Sequence, residues 1–446
     1  MKCYNKWSYR PYTPADRYEE RFAPFICRLA PSATSITVQW LDNGCDGIHV
    51  LHYAEWESET ETAIELNKEI VVIDGLKDQT EYKLYITAEN GKSSRVRRFR
   101  TGSVPGENVV CYLHPEDPVF AFSGRYTCSP SIVRLPSGAL LASNDYYVGG
   151  GAQNYTTIFR SDDDGASWYY VTDLMPCFWG KLFWHNDALY MLGMSTEYGD
   201  LLIGRSDDEG KNWTTPTVLM RGACNPKQNG LHKAPMRVEY AEGRIWTAVD
   251  YGSWAEKTFG NTLFSAPVDA DLLDVNSWVC TDFLPHDRSL PCGDTVNFAI
   301  EGNAVLMPDG KLANVIRYTL EKAKLNITDP KKPEELPTCY GIIDLPVGHT
   351  KFEILRHKSG KYYAVGNIPP MRTRLVLVSS DDLIHWTFEK YLIDGSTLDA
   401  KKNAFQYPSA ILEGDTLTLL SRTAYNGAAT WHDTNYITFH RFELDR

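Results

Sequence analysis

The chain has 446 residues, of which 43% are hydrophobic and 23% charged, and its formal net charge is −12. This composition is typical of a globular protein with two or three domains, and the acidic surplus without a Lys/Arg-rich block argues against nucleic acid as a partner. No run of 18 apolar residues occurs, so the sequence predicts no membrane-spanning helix and no membrane partner. Aromatic residues make up 12% of the chain, a content that suits β-sheets and sugar-binding surfaces.

Residues 1–24 are predicted to be an N-terminal extension. The opening stretch, MKCYNKWSYRPYTPADRYEER, lacks the apolar segment of a signal peptide, so a cytoplasmic protein is expected unless a signal has been removed. The ten cysteines form no CxxC pair and no dense framework. They are therefore expected to be reduced thiols, and the sequence indicates no cofactor.

Residues 25–102 carry short alternating runs separated by turns, a pattern typical of a β-sandwich. The runs are SITVQW (35–40), HVLHYAEW (49–56), EIVVIDGL (69–76) and the segment GLKDQTEYKLYITAENG (75–91). This last segment resembles the fibronectin type III family. The resemblance implies that Tyr82 is the corner tyrosine and that Trp40 is the core tryptophan. SVPGEN (103–108) is the predicted linker.

Residues 109–446 repeat one unit, which consists of an apolar strand, a turn with glycine and a second apolar strand. The units are SPSIVRLPSGALLAS (from 129), GKLFWHNDALYMLG (180), APMRVEYAEGRIWTAV (234), GNAVLMPDGKLANVIR (302), FEILRHKSGKYYAVGN (352) and YPSAILEGDTLTLLSR (407). Six units at intervals of 51, 54, 68, 50 and 55 residues predict an all-β chain, a six-bladed β-propeller preceded by the sandwich. The strands NYITFHRF (435–442) and PVFAF (118–122) are expected to close the ring in one blade.

Two stretches, SDDDGASW (161–168) and SDDEGKNW (206–213), share the pattern Ser-x-Asp-x-Gly-x-x-Trp. The glycine permits a tight hairpin, and the serine and aspartate can bond to the turn backbone. The stretches lack the bidentate glutamate of an EF-hand loop, so no metal is predicted. They resemble the Asp-box of sialidases, which implies a structural role for Ser161, Asp163, Gly165, Trp168, Ser206, Asp208, Gly210 and Trp213.

Binding sites of propellers lie on the axis, at the ends of the inner strands. The candidates at these ends are Asp145, Trp179, His232, Lys233, Glu301, Asn303, Arg317, Lys351, Arg372, Tyr407, Arg422 and His432. Many of them are basic although the protein is acidic, so the cluster predicts an anionic ligand, most simply a carboxylate. Cys128 also lies at the axis but has no evident activating partner, and His185 is interpreted as a hairpin-turn residue.

Residues 110–446 resemble the sialidase superfamily in three stretches, IEGNAVLMPDGKLANVIRY, GNIPPMRTRLVLVSSDD and FQYPSAILEGDTLTLL. The resemblance implies that Tyr407 is a nucleophile activated by Glu301. It also implies that Arg317 and Arg372 hold a sugar carboxylate, with Arg374 as the alternative to Arg372.

The first arginine and the catalytic aspartate of that family have no match here. Cys128 stands at the arginine position, and the loop before IFRSDDDG holds only Asp145. Classical sialidase activity is therefore not expected, and two mechanisms stay open. Hydrolysis would use Tyr407 and Glu301, whereas β-elimination at a uronate, as in a rhamnose–glucuronate linkage, would use His232 with Tyr407.

Under either mechanism the sequence predicts an exo-acting, carbohydrate-active enzyme whose substrate is an acidic oligosaccharide or glycan. The alternative is a non-catalytic, lectin-like propeller that binds such a glycan.

Overall fold

The computed structural model describes residues 23–223, 229–293, 295 and 299–444, together with Trp7. Most of the predicted extension 1–24 thus lies outside the described residues, as do Cys3 and Cys224. Trp7 is buried against Trp213, with ring centroids 5.8 Å apart. Within the described part of the chain, no helix is both long and apolar enough to cross a membrane.

The first domain consists of two antiparallel sheets. One contains β1 (Phe25–Pro31), β2 (Ser35–Leu41) and β5 (Ile70–Asp74); the other contains β4 (Thr62–Leu66), β3 (His49–Glu55), β6 (Glu81–Ala88) and β7 (Arg97–Arg100). Alternate residues of β6 are buried because successive side chains of a strand point to opposite faces. The Tyr82 hydroxyl accepts a hydrogen bond from the Lys77 amide at 2.9 Å, the contact expected of a corner tyrosine.

Six antiparallel sheets form the propeller, and their first strands contact one another around the axis. Blade 1 contains β9 (Tyr126–Arg134), β10 (Leu140–Tyr147), β11 (Thr156–Ser161) and β12 (Tyr169–Leu174). Blade 2 contains β13 (Phe178–His185), β14 (Ala188–Met194), β15 (Leu201–Ser206) and β16 (Thr217–Met220). Blade 3 contains β17 (Gly230–His232), β18 (Glu239–Ala241), β19 (Arg244–Ser253), β20 (Thr258–Pro267) and β21 (Val279–Cys280).

The remaining blades follow the same order from the axis outward. Blade 4 contains β22 (Ile300–Leu306), β23 (Leu312–Thr319), β24 (Lys322–Thr328) and β25 (Thr338–Asp344). Blade 5 contains β26 (Glu353–Arg356), β27 (Tyr362–Asn367), β28 (Arg374–Ser380) and β29 (Thr387–Asp394). Blade 6 contains β30 (Ala404–Glu413), β31 (Thr416–Ala424), β32 (Tyr436–Glu443) and, outermost, β8 (Asn108–Tyr112).

The ring closes in blade 6, but the prediction that PVFAF (118–122) supplies the closing strand is wrong. The strand that pairs with β32 is β8, which begins at Asn108, the last residue of the predicted linker. Pro118 has no amide hydrogen for a ladder. Its carbonyl accepts instead from the Ala121 amide, so this run forms turns that place Phe120 in the core.

Both Ser-x-Asp-x-Gly-x-x-Trp turns join the third strand of a blade to the fourth. The Ser161 hydroxyl donates to Asp163 at 2.8 Å and accepts from the Gly165 amide at 2.7 Å. The second turn repeats these two bonds with Ser206, Asp208 and Gly210. The tryptophans that end the turns, Trp168 and Trp213, are buried. Because neighbouring strands are antiparallel, these turns lie on the face opposite the starts of the first strands. Their residues stabilise the turns themselves.

The sandwich packs against the propeller through a buried ion pair as well as apolar contacts. Arg97 Nε lies 2.5 Å from Asp117 Oδ2, and the two side chains are 2% and 1% exposed. Gln39 bonds to the backbone of Tyr170 in blade 1, as donor at 3.1 Å and as acceptor at 2.6 Å. Because these contacts are buried, the sandwich is a fixed support of blades 1 and 6.

Candidate functional site

The first strands of four blades share a β-bulge in which two residues oppose one on the second strand. The first bulge residue has a positive φ in every case: Ser129 (35°), Trp179 (52°), Glu301 (61°) and Tyr407 (52°). The second bulge residue is always proline or glycine. A side chain held at positive φ costs about 1–3 kcal/mol, and such strain concentrates at functional sites. The bulges of blades 4 and 6 turn Glu301 and Tyr407 toward each other.

Tyr407, Glu301 and Arg317 form one hydrogen-bonded group. The Tyr407 hydroxyl donates to Glu301 Oε1 at 2.8 Å, and Arg317 Nη1 donates to Glu301 Oε2 at 2.8 Å. The same Arg317 nitrogen lies 3.3 Å from the Tyr407 oxygen. A carboxylate placed in this way can take the phenolic proton of Tyr407 while the guanidinium stays beside the oxygen that becomes charged.

Two further arginines face the ring of Tyr407. The guanidinium carbons of Arg372 and Arg422 lie 5.7 and 5.2 Å from the ring centroid. Arg372 donates to Gln406 at 2.5 Å, and Arg422 donates to Thr434 and to the His432 carbonyl. Among the residues described, neither arginine has a carboxylate within 4 Å. Two guanidiniums bound only to neutral groups favour an anionic ligand.

Arg372, and not Arg374, belongs to this group. The Arg372 guanidinium lies between the Tyr407 ring and the Trp431 ring, whose centroid is 4.8 Å away. Among the described residues, Arg374 reaches only the Pro369 carbonyl, at 3.5 Å. The register left open by the sequence is thereby assigned.

The pKa shifts in this group decide which of the two side chains holds the proton in the free protein. Burial and the Glu301 carboxylate raise the pKa of Tyr407 to about 12, against the opposing effect of the three arginines. Burial by itself raises the pKa of Glu301, but Arg317 and His232 outweigh it, so this pKa lies below its ordinary value. At neutral pH the pair is therefore a protonated phenol beside an ionised carboxylate.

His432 lies at the partly exposed border of the site. Its Nδ1 is 3.1 Å from Asp433, and its ring stacks edge to face on Tyr147 at 5.1 Å. Burial and the nearby Arg422 lower the pKa of His432. The side chain is 35% exposed, so a ligand in the site can reach it.

Three residues predicted to bind substrate lie inside the axis instead. Lys233, Lys351 and Asn303 are at most 3% exposed. Lys351 Nζ bonds to the Pro408 carbonyl and lies 3.5 Å from Glu353. Lys233 Nζ donates to the Ala234 carbonyl, and Asn303 accepts from the Ile354 amide. Their polar atoms are bonded to interior backbone groups, so they act as interior supports of the blades.

The axis also holds a buried ion pair that sequence reasoning missed. Lys181 of blade 2 reaches Glu353 of blade 5 at 3.0 Å. Burial lowers the pKa of Lys181 to about 8, and burial together with Lys181 lowers the pKa of Lys233 to about 7. Glu353 is the second residue of FEIL (352–355). An acidic residue inside this apolar run is the sequence signal that could have identified it.

Asp145 and Trp179 form a brace between blades 1 and 2. Asp145 is 1% exposed; its two oxygens accept from the Thr156 hydroxyl at 2.5 Å and the Trp179 amide at 2.8 Å. Burial raises the pKa of Asp145 to about 8. Asp145 was predicted to bind substrate, but both of its oxygens are used by hydrogen bonds within the fold. Trp179 was also predicted to bind substrate, and its side chain is 9% exposed.

His232, predicted as a catalytic base, is 2% exposed and packed among aromatic rings. Its ring lies 4.4 Å from that of Trp179 and 5.6 Å from that of Phe259. Its Nδ1 is 3.8 Å from Asp250 Oδ2 and makes no hydrogen bond to the described residues. Asp250 itself was missed, although VDY at 249–251 repeats the Asp-Tyr of NDY at 144–146.

Two other residues considered from the sequence, Cys128 and His185, have structural roles. Cys128 is buried with its thiol 3.1 Å from Ser129 Oγ, and burial raises its pKa, which makes it a poor nucleophile. His185 ends β13 at the hairpin turn, where its ring nitrogens contact Tyr240 and the Val268 carbonyl.

No family model and no curated protein matches the chain. The α-L-arabinanase of Penicillium chrysogenum in complex with arabinobiose has a TM-score of 0.51 and 14% identity, over 75% of this chain and 97% of that one. A protein of unknown function from Dyadobacter fermentans has a TM-score of 0.51 and 13% identity, over 77% and 100%. The Hadza microbial sialidase Hz136 has a TM-score of 0.49 and 13% identity, over 92% and 93%. At these identities the likeness is one of fold.

Proposed function

We propose that the protein is a glycoside hydrolase that cleaves, from a chain end, a glycosidic bond at a carboxylate-bearing sugar. The observation that carries the proposal is the Tyr407 hydroxyl bonded to Glu301 at 2.8 Å between three guanidiniums. A protein of similar fold, the Penicillium arabinanase, binds arabinobiose. That likeness suggests a glycan as the substrate class, and the site of this chain supplies the chemistry.

In the proposed reaction the Tyr407 oxygen attacks the anomeric carbon and its proton passes to Glu301. The bond from that carbon to the leaving oxygen breaks. Water then attacks the anomeric carbon, its proton passes to His432, and Glu301 returns its proton to the departing Tyr407 oxygen. Arg317 stabilises the charge that develops on the phenolic oxygen, since it already lies 3.3 Å away.

The leaving oxygen needs a proton, and we assign its supply to His432. The loop VGGGAQNY at 148–155 contains no acidic residue, and Asp145 is buried and fully used by its own hydrogen bonds. His432 is partly exposed beside Arg422, and its Nδ1 is bonded to Asp433. The imidazolium form of His432 carries a proton on Nε2 as well and donates it to the leaving oxygen, so this step slows as the pH rises above the lowered pKa of His432.

The arginines favour a carboxylate over a neutral sugar. Arg372 and Arg422 are held in place by neutral partners, so an incoming carboxylate needs to displace no protein anion. Burial lowers the pKa of Arg372 to about 10, a sign that water already solvates it poorly. A carboxylate therefore gains two charge-assisted bonds where little hydration is lost.

β-Elimination at a uronate and glycan binding without turnover are the alternative outcomes. Elimination through His232 is less well supported because the ring of this histidine packs against the rings of Trp179 and Phe259. Binding alone gives no reason for a strained tyrosine and a strained glutamate to meet at 2.8 Å.

The test is turnover of 4-methylumbelliferyl glycosides of N-acetylneuraminic, glucuronic and galacturonic acids, with arabinobiose as a substrate that lacks a carboxylate. Release of the fluorophore supports hydrolysis. Elimination expels the group on O4 of the uronate, so a rhamnosyl-1,4-glucuronate is assayed beside these glycosides, and growth of absorbance at about 235 nm with it identifies an unsaturated uronate and elimination. Tyr407→Phe and Glu301→Gln are expected to lose at least about 100-fold in kcat. Tyr391→Phe, an exposed tyrosine of the outer strand β29, is the matched control.

We also propose that the sandwich is of the fibronectin type III kind, on the support of its three- and four-stranded sheets and the Tyr82 contact.

A further inference from the structure

Asp250 joins blade 3 to the proposed catalytic glutamate through the backbone. Asp250 Oδ2 accepts from the Glu301 amide at 2.8 Å, and Oδ1 accepts from Asn261 Nδ2 at 2.8 Å. Asn261 also donates to the Ala299 carbonyl at 2.6 Å and accepts from Lys324 Nζ at 3.1 Å. The chain Lys324–Asn261–Asp250 thus ends on the amide of Glu301.

The Glu301 amide needs this acceptor because of its conformation. Glu301 is the first residue of its bulge, with φ of 61°, and its amide is buried in a part of β22 that leaves the ladder of β23. A buried amide without a partner is costly, and a strained backbone persists only where its surroundings fix it. The Asp250 carboxylate supplies both the acceptor and the restraint.

We infer that Asp250 is a positioning residue for the reaction: by holding the Glu301 amide it fixes the Glu301 carboxylate against the Tyr407 hydroxyl. The inference rests on the proposed function for its kinetic consequence. Asp250 is 1% exposed and is not a contact of the substrate. It acts by geometry, because a displacement of about 1 Å at a reacting group is enough to cost about 100-fold in rate.

The brace between blades 1 and 2 provides a matched control in the same chain. Asp145 stands two residues before Tyr147 at the end of β10, as Asp250 stands near the end of β19, and it accepts from the Trp179 amide at 2.8 Å. Trp179 also has a positive φ, of 52°, at the start of a bulge. Both aspartates are 1% exposed, and each accepts two hydrogen bonds. Asp250 accepts one of its bonds from the Glu301 amide, whereas Asp145 accepts from the Trp179 amide.

Three variants separate hydrogen bonding, charge and general stability. Asp250→Ala removes the acceptor and the charge, Asp250→Asn keeps an oxygen for the Glu301 amide without the charge, and Asp145→Ala removes the other brace. We expect Asp250→Ala to lower kcat about 100-fold with KM within about threefold. Asp250→Asn is expected to recover at least about tenfold of the lost kcat. Asp145→Ala is expected to lose less than about tenfold in kcat, although its unfolding midpoint falls as far as that of Asp250→Ala.

The inference is overturned if Asp145→Ala slows turnover as much as Asp250→Ala does, since the effect would then be one of stability. It is also overturned if Asp250→Asn is as slow as Asp250→Ala while a crystal structure shows its side-chain oxygen still bonded to the Glu301 amide, because charge and not that bond would then be responsible.

Crystal structures of the same variants test the positioning without any substrate. The oxygen–oxygen distance between Tyr407 and Glu301, 2.8 Å here, is expected to exceed about 3.5 Å in Asp250→Ala and to stay unchanged in Asp145→Ala. An unchanged distance in Asp250→Ala refutes the inference even if the wild type turns over none of the glycosides. Conversely, full turnover by Tyr407→Phe defeats the proposed function, and the distance measured in Asp250→Ala then decides by itself whether Asp250 positions Glu301.

Discussion

Replacement of Arg372 by alanine is the sharpest test of the carboxylate preference. In the free protein Arg372 makes one bond to a neutral group, Gln406, and lies between the rings of Tyr407 and Trp431. Its removal therefore breaks no ion pair among the described residues, and the stability of the fold is expected to change little. The cost should appear when an anionic substrate binds.

The magnitude follows from the bond that is lost. A hydrogen bond to a charged group contributes about 1.5–3 kcal/mol, and about 1.4 kcal/mol corresponds to a factor of ten. Arg372→Ala is therefore expected to lower kcat/KM for an acidic glycoside by roughly 10- to 150-fold. For the methyl ester of the same glycoside, which has no charge to bind, the loss is expected to stay below about threefold.

The assay is steady-state kinetics on the acid and its ester, for the wild type, Arg372→Ala and Arg374→Ala. Arg374 stands two residues away and, of the residues that the structure describes, reaches only the Pro369 carbonyl, so its variant is expected to behave as the wild type does. Equal losses for the acid and the ester would refute a carboxylate contact. Equal losses for the two arginine variants would refute the assignment of Arg372 to the site.

Three other expectations can be checked on the same protein. Asp117→Ala leaves the buried guanidinium of Arg97 unpaired and is expected to cost about 3–5 kcal/mol in urea unfolding; a cost below about 1 kcal/mol would contradict a fixed interface. Lys233 has its pKa lowered by burial to about 7 from 10.5, so the wild type loses stability relative to Lys233→Met as the pH falls from 10.5 to 7. Unfolding midpoints at pH 6 and 9 check this, and a gap independent of pH would contradict it. His432→Gln is expected to slow phenyl glycosides at least about tenfold more than 4-nitrophenyl glycosides, whose leaving group needs no proton; equal slowing would exclude the acid role.

The blade pattern could be predicted because its signals are local. A Ser-x-Asp-x-Gly-x-x-Trp turn contains its own hydrogen bonds, and an apolar hairpin with a central glycine needs no knowledge of its neighbours. The closing strand could not be predicted in this way. PVFAF and the true strand at 108–112 are both apolar, and which one pairs with β32 depends on contacts made across the whole ring.

The sequence predicted where the candidate site lies, but not which residues form the site and which are interior supports. Glu301, Arg317, Arg372, Tyr407 and Arg422 meet in one group. Four of them stand near the axial ends of first or second strands, and Arg372 lies in the loop that follows the second strand of blade 5.

Residues at equivalent strand ends turned out to be interior. β26 of blade 5 pairs with β27 without a bulge, and Lys351 before it lies against Glu353. Asp250 was missed because its role depends on the amide of a residue 51 positions away.

The repeated bulge has a consequence for how this propeller can change its chemistry. The backbone at the first bulge position is shaped by the proline or glycine that follows and by the neighbouring blade, and it accepts serine, tryptophan, glutamate and tyrosine alike. The four positions thus share one backbone geometry and carry four different side chains. The residue type at each position therefore decides which chemical group the bulge presents near the axis. Ser129 occupies this position in blade 1 and contributes a buried hydroxyl there.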